Sequence, residues 1–366
     1  MNILWLKDKK IGHEKQVKAL LDELSKSREI NIIESEVDYT FDDKLNDIFF
    51  GWFEKLTKRS LHTTDEDHIW YIRNKYKSSN IDIIIGAGHN TYPYILSYKN
   101  ALTLKRKSLS SSSSKSFIKK IKDLNSYYER DKDCNLKAIA VLVPSFNQKD
   151  FDLICAPNHD AYRLKYVDDA KKIFYEGSLS KVYDNQPDDN IGFIGLGGKN
   201  KHFNFDVDNI LKQIQYVTSI YPSKDWYIFN SRRTPKILNK LIETYVIENK
   251  IQNIYFQDSN KKEIKSYDEI ISASSIKIIT QDSVNMIYES LSSRGETILF
   301  NMDYFKNNKI VKQIHKLLRN KQVGYIDDGD LTKDLKAMKI IKQQNKDLFA
   351  EVEKLAYKVN QFLEEK

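Results

Sequence analysis

The feature that most constrains this chain is a rhythm. Short apolar runs, most of them closed by Gly, Asn, Gln, Thr or Pro, alternate with stretches of helical spacing. The runs are MNILWL, IDIIIGAG, KAIAVLVP and FDLICAP, then IGFIGLGG, WYIFN, NIYFQ, IKIIT and TILFN. Apolar residues that follow one another without alternation mark strands buried on both faces, as in parallel sheets. Between the runs, Val17, Leu20, Leu21 and Leu24, and later Val207, Ile210, Leu211, Ile214 and Val217, recur at helical steps on one face. Strand and helix in alternation predict parallel sheets with helices on both faces.

A chain of 366 residues has room for two such domains, at roughly 100–200 residues each. The NQPDDN stretch, Asn185 to Asn190, stands just before a new apolar strand and is the best boundary. The expected organisation is a Rossmann-like domain over 1–185, a second over 190–330, and a charged amphipathic helical segment over 331–366 that packs back across the domains. The Ser-rich run from Lys105 to Phe117 reads as a surface loop that interrupts the first domain. Two doubly wound domains in tandem make a cleft, with ligands beyond the carboxyl ends of the strands.

No apolar run approaches the ~18–20 residues of a membrane span, and the start reads as a first strand rather than a signal peptide. A cytoplasmic location is expected. The only cysteines, Cys134 and Cys155, are too few for a disulfide framework or a zinc site, and no metal site is expected. A net charge of +8 favours anionic partners: nucleotide phosphates, nucleic acid or an acidic membrane face. A lysine-rich solvated surface explains the same number. No aromatic-basic recognition motif is present, so nucleic acid is not an expected partner. The Lys-rich FIKKIKDL, Phe117 to Leu124, suits either peripheral contact with an anionic membrane or an ordinary surface helix.

Candidate chemistry lies in the turns that follow strands. The first holds Asp8, Lys9, Gly12 and His13. A histidine at a helix start suits a general base towards a hydroxyl, or a phosphate contact; a turn glycine with a capping histidine is the plain reading. Gly86, Gly88 and His89 follow the IDIII strand, either as a phosphate cradle or as a packing turn. His159 and Asp160 follow FDLICAP and lie near the expected crossing between domains. Gly197, Gly198 and Lys199 open the second domain; consecutive glycines expose backbone N–H groups, and Lys199 adds charge. This loop lacks the GK[ST] ending of a Walker motif, and a plain turn fits it as well. Ser231, Arg232, Arg233, Thr234 and Pro235 follow WYIFN, and two arginines at a strand's carboxyl end suit bidentate phosphate contact. Asp282 or Ser283 is placed to cap the following helix, whose N-terminus would attract phosphate. Glu289, further along, suits a ribose diol; a surface acid is the alternative.

Taken together, WLKDKKIGHEKQVKALLDEL, IIIGAGHNT, VLVPSFNQKDFDLICAPNHD, YEGSLSKV, IGFIGLGGKNKHF, NSRRTP and ITQDSVNMIYESLSSRGETILFN resemble the elongated-mitochondria family of plant mitochondrial-fission proteins and their bacterial relatives. The resemblance implies a GT-B glycosyltransferase architecture, two Rossmann-like domains facing a central cleft. It implies a donor pocket for a nucleotide sugar at Gly197, Gly198, Lys199, Ser231, Arg233, Thr234, Asp282, Ser283, Val284 and Glu289. It also implies an acceptor side at Gly12, Gly86, Gly88, His89, His159 and Asp160, with His13 and Arg232 catalytic. The chain departs from the family at His89-Asn90, where two arginines are usual, at Ser180, where a histidine is usual, and at Glu296-Thr297, in place of Lys-Pro. The implied activity is inverting, metal-independent sugar transfer to a glycan or lipid-linked acceptor in surface-polysaccharide synthesis, with no cofactor beyond the co-substrate. A non-enzymatic adaptor that recruits a protein partner is the alternative.

Overall fold

The computed structural model describes residues 1–37, 72, 74–76, 79–106, 128–130, 135–259, 261, 265–327 and 338–364. The Ser-rich run beyond Arg106, the FIKKIKDL stretch, Cys134 and residues 328–337 lie outside these. The chain divides into two compact units, Met1–Glu176 with Glu353–Lys366, and Gly177–Val352.

The first unit runs β1 (Asn2–Lys7), α1 (Ile11–Leu24), β2 (Asn31–Glu36), β3 (Ile83–Ala87), α2 (Tyr92–Thr103), β4 (Leu104–Arg106), β5 (Tyr128–Arg130), β6 (Lys137–Val141), β7 (Leu153–Pro157) and β8 (Lys172–Tyr175). β4 and β5 form a separate antiparallel pair. The other six make a wholly parallel sheet in the order β2-β1-β3-β6-β7-β8. Growth reverses at β1, which is flanked by β2 and β3. That reversal opens a crevice at the carboxyl ends of β1 and β3. The buried side chains of Leu4, Leu6, Ile84, Ala138, Ala140 and Ile154 share a core with Tyr92 and Phe151, whose rings meet edge to face at 5.8 Å.

The second unit runs β9 (Asp188–Gly195), α3 (Val207–Ile220), β10 (Asp225–Phe229), α4 (Lys236–Glu248), β11 (Ile254–Gln257), α5 (Tyr267–Ala273), β12 (Ser274–Ile279), α6 (Val284–Leu291), β13 (Glu296–Leu299), α7 (Lys309–Arg319), β14 (Gly324–Asp327) and β15 (Lys339–Ile341). Its sheet has the order β11-β10-β9-β12-β13-β14-β15. All ladders are parallel except β14 with β15. Here the reversal falls at β9, between β10 and β12, as in dinucleotide-binding sheets. Ile210, Ile214 and Val217 of α3 are fully buried or nearly so against Ile194, Ile228 and Ile278 of the sheet. Each such side chain contributes about 1.5–3 kcal/mol of burial free energy. The helical spacing read from the sequence is thus the spacing that fills this core.

The C-terminal stretch differs from its helical expectation. Lys339–Ile341 pairs with β14 instead, and this pairing satisfies backbone groups that β14 would otherwise present as an open edge. A single helix follows, α8 (Glu351–Glu364), with Val352, Leu355, Ala356 and Val359 buried along one face.

Candidate functional site

Both reversal points carry clustered polar side chains, and the two clusters are built differently. In the first unit the chain leaves β1 and turns through Asp8 into α1. The Asp8 side chain has no exposed surface, and its Oδ2 lies 2.9 Å from His13 Nδ1. Its Oδ1 accepts the Lys10 backbone N–H at 3.2 Å, and the Lys10 ammonium stands 3.6 Å from Oδ2. Burial alone would push the Asp8 carboxyl up. The His13 hydrogen bond, the His13 charge and the Lys10 contacts outweigh it and hold the carboxyl below the ordinary range. A carboxylate on Nδ1 fixes the tautomer with hydrogen on that nitrogen, which leaves Nε2 as the basic atom. Among the described residues Nε2 has no hydrogen-bond or ion-pair partner.

Gly88 completes this cluster. Its φ of 94° is left-handed, and a Cβ there would lie 2.5 Å from His13 Cε1 and 2.7 Å from Asp8 Oδ2. The glycine therefore gives the His13 ring its place, and the packing-turn reading of this loop is the one the geometry favours. Thr91 braces the turn, its hydroxyl and its N–H both donating to Gly88 O, at 2.9 and 3.0 Å. Gly86 lies inside β3 opposite Leu6, and Gly12 is the second residue of α1. His89 is half-buried, its ring 6.4 Å from that of Phe146. His159 and Arg163 each stand 3.8 Å from Asp160 Oδ2, on a short turn of helix that follows β7. That pair belongs to a different strand end from Asp8 and His13.

In the second unit three loops meet where growth reverses. The glycine turn after β9 does not expose its amides as its composition suggests. Gly197 N–H donates to Thr280 Oγ1 and Gly198 N–H to Asp282 Oδ2, both at 2.7 Å. The two glycines serve close approach: a Cβ on Gly197 would lie 2.6 Å from Asp282 Cγ, and one on Gly198 would lie 2.5 Å from Thr234 N. From the turn after β10, Ser231 Oγ donates to Gly197 O at 2.7 Å. Thr234 Oγ1 donates to Gly197 O and also lies 3.1 Å from Leu196 O. Thr234 Oγ1 in turn accepts the Ser231 N–H at 2.9 Å. Ser231 and Thr234 thus clamp the glycine turn and are themselves committed.

The two arginines part ways. Arg233 is 3.1 Å from Asp282 Oδ2, whereas Arg232 is exposed and has no ion pair or hydrogen bond among the described residues. Lys199 is exposed and unpaired in the same sense. Asp282 has no exposed side-chain surface. Burial pushes its carboxyl above the ordinary range, against the Gly198 amide, the Thr280 hydroxyl and the Arg233 charge, which pull it down.

Neither Asp282 nor Ser283 caps α6, contrary to the expectation from sequence. Ser283 is the N-cap residue but makes no side-chain bond to the helix, and Asp282 is turned back onto Gly198. Ile287 is the first residue of α6 to donate, to Ser283 O at 3.1 Å. The amides of Val284, Asn285 and Met286 have no acceptor among the described residues. By contrast Asp206 caps α3 and Asn308 caps α7. An uncapped first turn can take an anion, and the two unpaired cations follow β9 and β10 of the same sheet. The other end of α6 is pinned by Lys277 of β12. Its buried ammonium donates to the carbonyls of Ser290, Ser293 and Arg294 at 2.8, 2.8 and 2.6 Å, and to Ser293 Oγ at 2.7 Å. Burial pushes this ammonium down to about 7. Glu289 is only partly available: its Oε2 accepts the half-buried Tyr267 hydroxyl at 2.6 Å.

At the ends of β12, β13 and β14 opens a cavity of about 620 Å³, with Gln281, Asn301, Asp303, Tyr304 and Tyr325 among its walls. Among the described residues no group of three or more His, Cys, Asp or Glu could hold a metal ion, and no helix is long and apolar enough to cross a membrane. Cys155 is buried and its thiol is pushed up to about 12 by burial.

Asp8, noted in its loop but given no role there, and Tyr267, not singled out at all, both carry parts of these sites. An acid directly after a buried strand, five residues before a histidine, is a usable signal for Asp8. Tyr267 gives none, since it meets Glu289 only through the fold.

No curated protein sequence matches this chain. Solved structures are similar over its length at low identity. The UDP-GlcNAc 2-epimerase from Methanocaldococcus jannaschii is 12% identical, with a TM-score of 0.48 over 99% of this chain and 100% of the other. A glycosyltransferase from Rickettsia africae is 12% identical, with a TM-score of 0.44 over 100% and 99%. The ADP-heptose LPS heptosyltransferase II of E. coli is 7% identical, with a TM-score of 0.45 over 88% and 100%. The model of one family, described as mitochondrial fission ELM1, matches residues 124–362, which include the whole second-unit cluster. The resemblance read from the motifs is borne out there, and the chain belongs to the mitochondrial fission ELM1 family.

Proposed function

We propose that this protein is a glycosyltransferase of GT-B type that takes its sugar from a nucleotide-activated donor. The observation that carries the reading is the anion-ready end of the second sheet. Two unpaired cations, Arg232 and Lys199, follow neighbouring strands β10 and β9, and the uncapped α6 follows β12 on the other side of β9. Such a place suits a leaving phosphate or diphosphate. Glu289, already holding Tyr267, is the candidate for a ribose hydroxyl, and the nearby cavity is of ligand size.

In this reading His13 Nε2 takes the proton from an acceptor hydroxyl while Asp8 supports the imidazolium that forms. The acceptor oxygen bonds to the anomeric carbon, the bond from that carbon to the leaving phosphate oxygen breaks, and its electron pair leaves with the nucleotide. Attack opposite the leaving group inverts the anomeric centre. Arg232, Lys199 and the α6 amides receive the developing charge, a role that in other enzymes falls to a metal ion. The acceptor in the proposal is a glycan or a lipid-linked sugar. A peripheral station at an anionic membrane face suits the net charge of +8.

Donor binding tests the proposal. Calorimetric titration with nucleotide sugars should give saturable binding to the wild type, weakened about tenfold or more in Arg232→Ala, the worth of one charge-assisted contact. An adaptor that recruits a protein partner needs no such binding, so a folded protein with none would favour that role.

A further inference from the structure

The tandem arginines invite one role, phosphate contact, yet the structure gives them different surroundings. We propose that they divide the work at the donor site. Arg232 meets the anion, whereas Arg233 is a positioning residue that never touches it and acts through Asp282 on the glycine turn. This rests on the nucleotide-sugar reading above and deepens it.

Arg233 is spoken for. Its Nη2 lies 3.1 Å from Asp282 Oδ2, the same oxygen that accepts the Gly198 N–H at 2.7 Å. Its Nη1 lies 3.5 Å from Gly198 O. Arg233 therefore holds both sides of one peptide turn, the carbonyl directly and the amide by way of the carboxylate. A buried carboxylate with nothing opposite it would be expelled or protonated. With Arg233 opposite, Asp282 remains a fixed acceptor, and Gly198 cannot carry any side chain without displacing the Arg233–Thr234 backbone. Asp282 immediately precedes Ser283, the N-cap of α6. Asn200, next in the turn, donates to Asp282 O at 3.2 Å. Every bond in this set sets where Lys199 and the first turn of α6 stand. Although its side chain is 46% exposed, Arg233 directs both terminal nitrogens onto this turn. Arg232, one residue earlier, has no ion pair or hydrogen bond among the described residues.

The two roles predict opposite signs for one substitution. Asp282→Asn keeps an acceptor for Gly198 but removes the negative charge that engages Arg233. If Arg233 contacts the anion directly, freeing it strengthens binding. If Arg233 acts through Asp282, loosening the turn weakens binding.

Calorimetric titration with inorganic pyrophosphate at fixed low salt reads this directly. For Arg232→Ala the affinity should fall about tenfold or more, with the melting temperature unchanged. For Asp282→Asn and Arg233→Ala it should fall by similar, smaller factors, and the double variant should be no worse than either single one. Tighter binding by Asp282→Asn, or losses that multiply in the double variant, overturns the assignment. If Arg233→Ala does not fold, the sign seen in Asp282→Asn decides alone. Wild-type protein that binds no pyrophosphate also overturns it, and if nucleotides fail to bind as well, the nucleotide-sugar reading falls with it.

Discussion

Each sheet buries one aspartate beside its point of reversal, Asp8 after β1 itself and Asp282 after β12, the neighbour of β9, and their carboxyls are shifted in opposite directions. Asp8 is gathered by His13 and Lys10 strongly enough to overcome burial, and its carboxyl lies below the ordinary range. Asp282 is gathered by Gly198, Thr280 and Arg233, yet burial prevails and its carboxyl lies above it. The difference follows from what each holds. Asp8 orients a titratable ring and leaves that ring's other nitrogen open, which is the arrangement of a base. Asp282 spends its charge on a backbone amide and a guanidinium, which fixes a loop. The same residue type, buried after neighbouring strand ends, thus orients a ring in one sheet and fixes a loop in the other.

Substitutions that remove the functional partner of each aspartate should have the largest effect. In a transfer assay, His13→Ala and Asp8→Asn should each lower turnover by about 10²–10⁴-fold, the usual worth of a general base and its support, with donor affinity retained. Arg232→Ala should instead weaken the donor complex. A variant pattern with these effects interchanged would break the division between the two ends.

Next come the supports. Lys277→Met should destabilise the second unit by roughly 3 kcal/mol, because it leaves the carbonyls of Ser293 and Arg294 without their donor, while Ser290 O keeps the Ser293 hydroxyl and N–H. Denaturant unfolding measures it. Gly88→Ala should cost about 2 kcal/mol, from the left-handed backbone and the crowded His13 ring. It should also lower turnover, since the ring must move. Gly198→Ala should destabilise comparably but act on donor binding.

The smallest effect is the sharpest for the comparison. A lowered folded pKa makes Asp8 contribute stability that is present above its unfolded value and lost as pH falls through the folded one. The wild type should therefore lose its advantage over Asp8→Asn on acidification. A raised folded pKa makes the Asp282 contribution present below its unfolded value and lost as pH rises through the folded one. Asp282→Asn should accordingly gain on the wild type as pH rises through and above the ordinary carboxylate range. Melting temperatures against pH for the two pairs should slope in opposite directions; parallel curves would erase the distinction.

Much of the fold was legible because buried parallel strands and amphipathic helices leave local patterns. The runs IGFIGLGG, WYIFN and IKIIT contain the ends of β9, β10 and β12, and the spacing of Val207 to Val217 is α3. β15 was not legible: Lys339–Ile341 is a strand only because β14 offers an edge. At the sites, sequence placed the right loops but not the direction of their bonds. Gly197 and Gly198 look like an open phosphate cradle until Thr280 and Asp282, more than eighty residues away, take their amides. Ser283 looks like a cap, and Arg233 looks like its neighbour. These distinctions depend on which partner the fold delivers, and residue types along the chain do not record that. The family match begins at residue 124, so the Asp8–His13 pair stands on geometry alone.

In the proposed function the second unit binds a nucleotide-activated sugar through Arg232 and the first turn of α6. Titration of wild-type and Arg232→Ala protein with a panel of nucleotide sugars, read by calorimetry, tests it most directly. The wild type should bind selectively and saturably, and the variant should lose about tenfold or more with its melting temperature unchanged. Equal binding by both proteins, or none by a folded wild type, would contradict it.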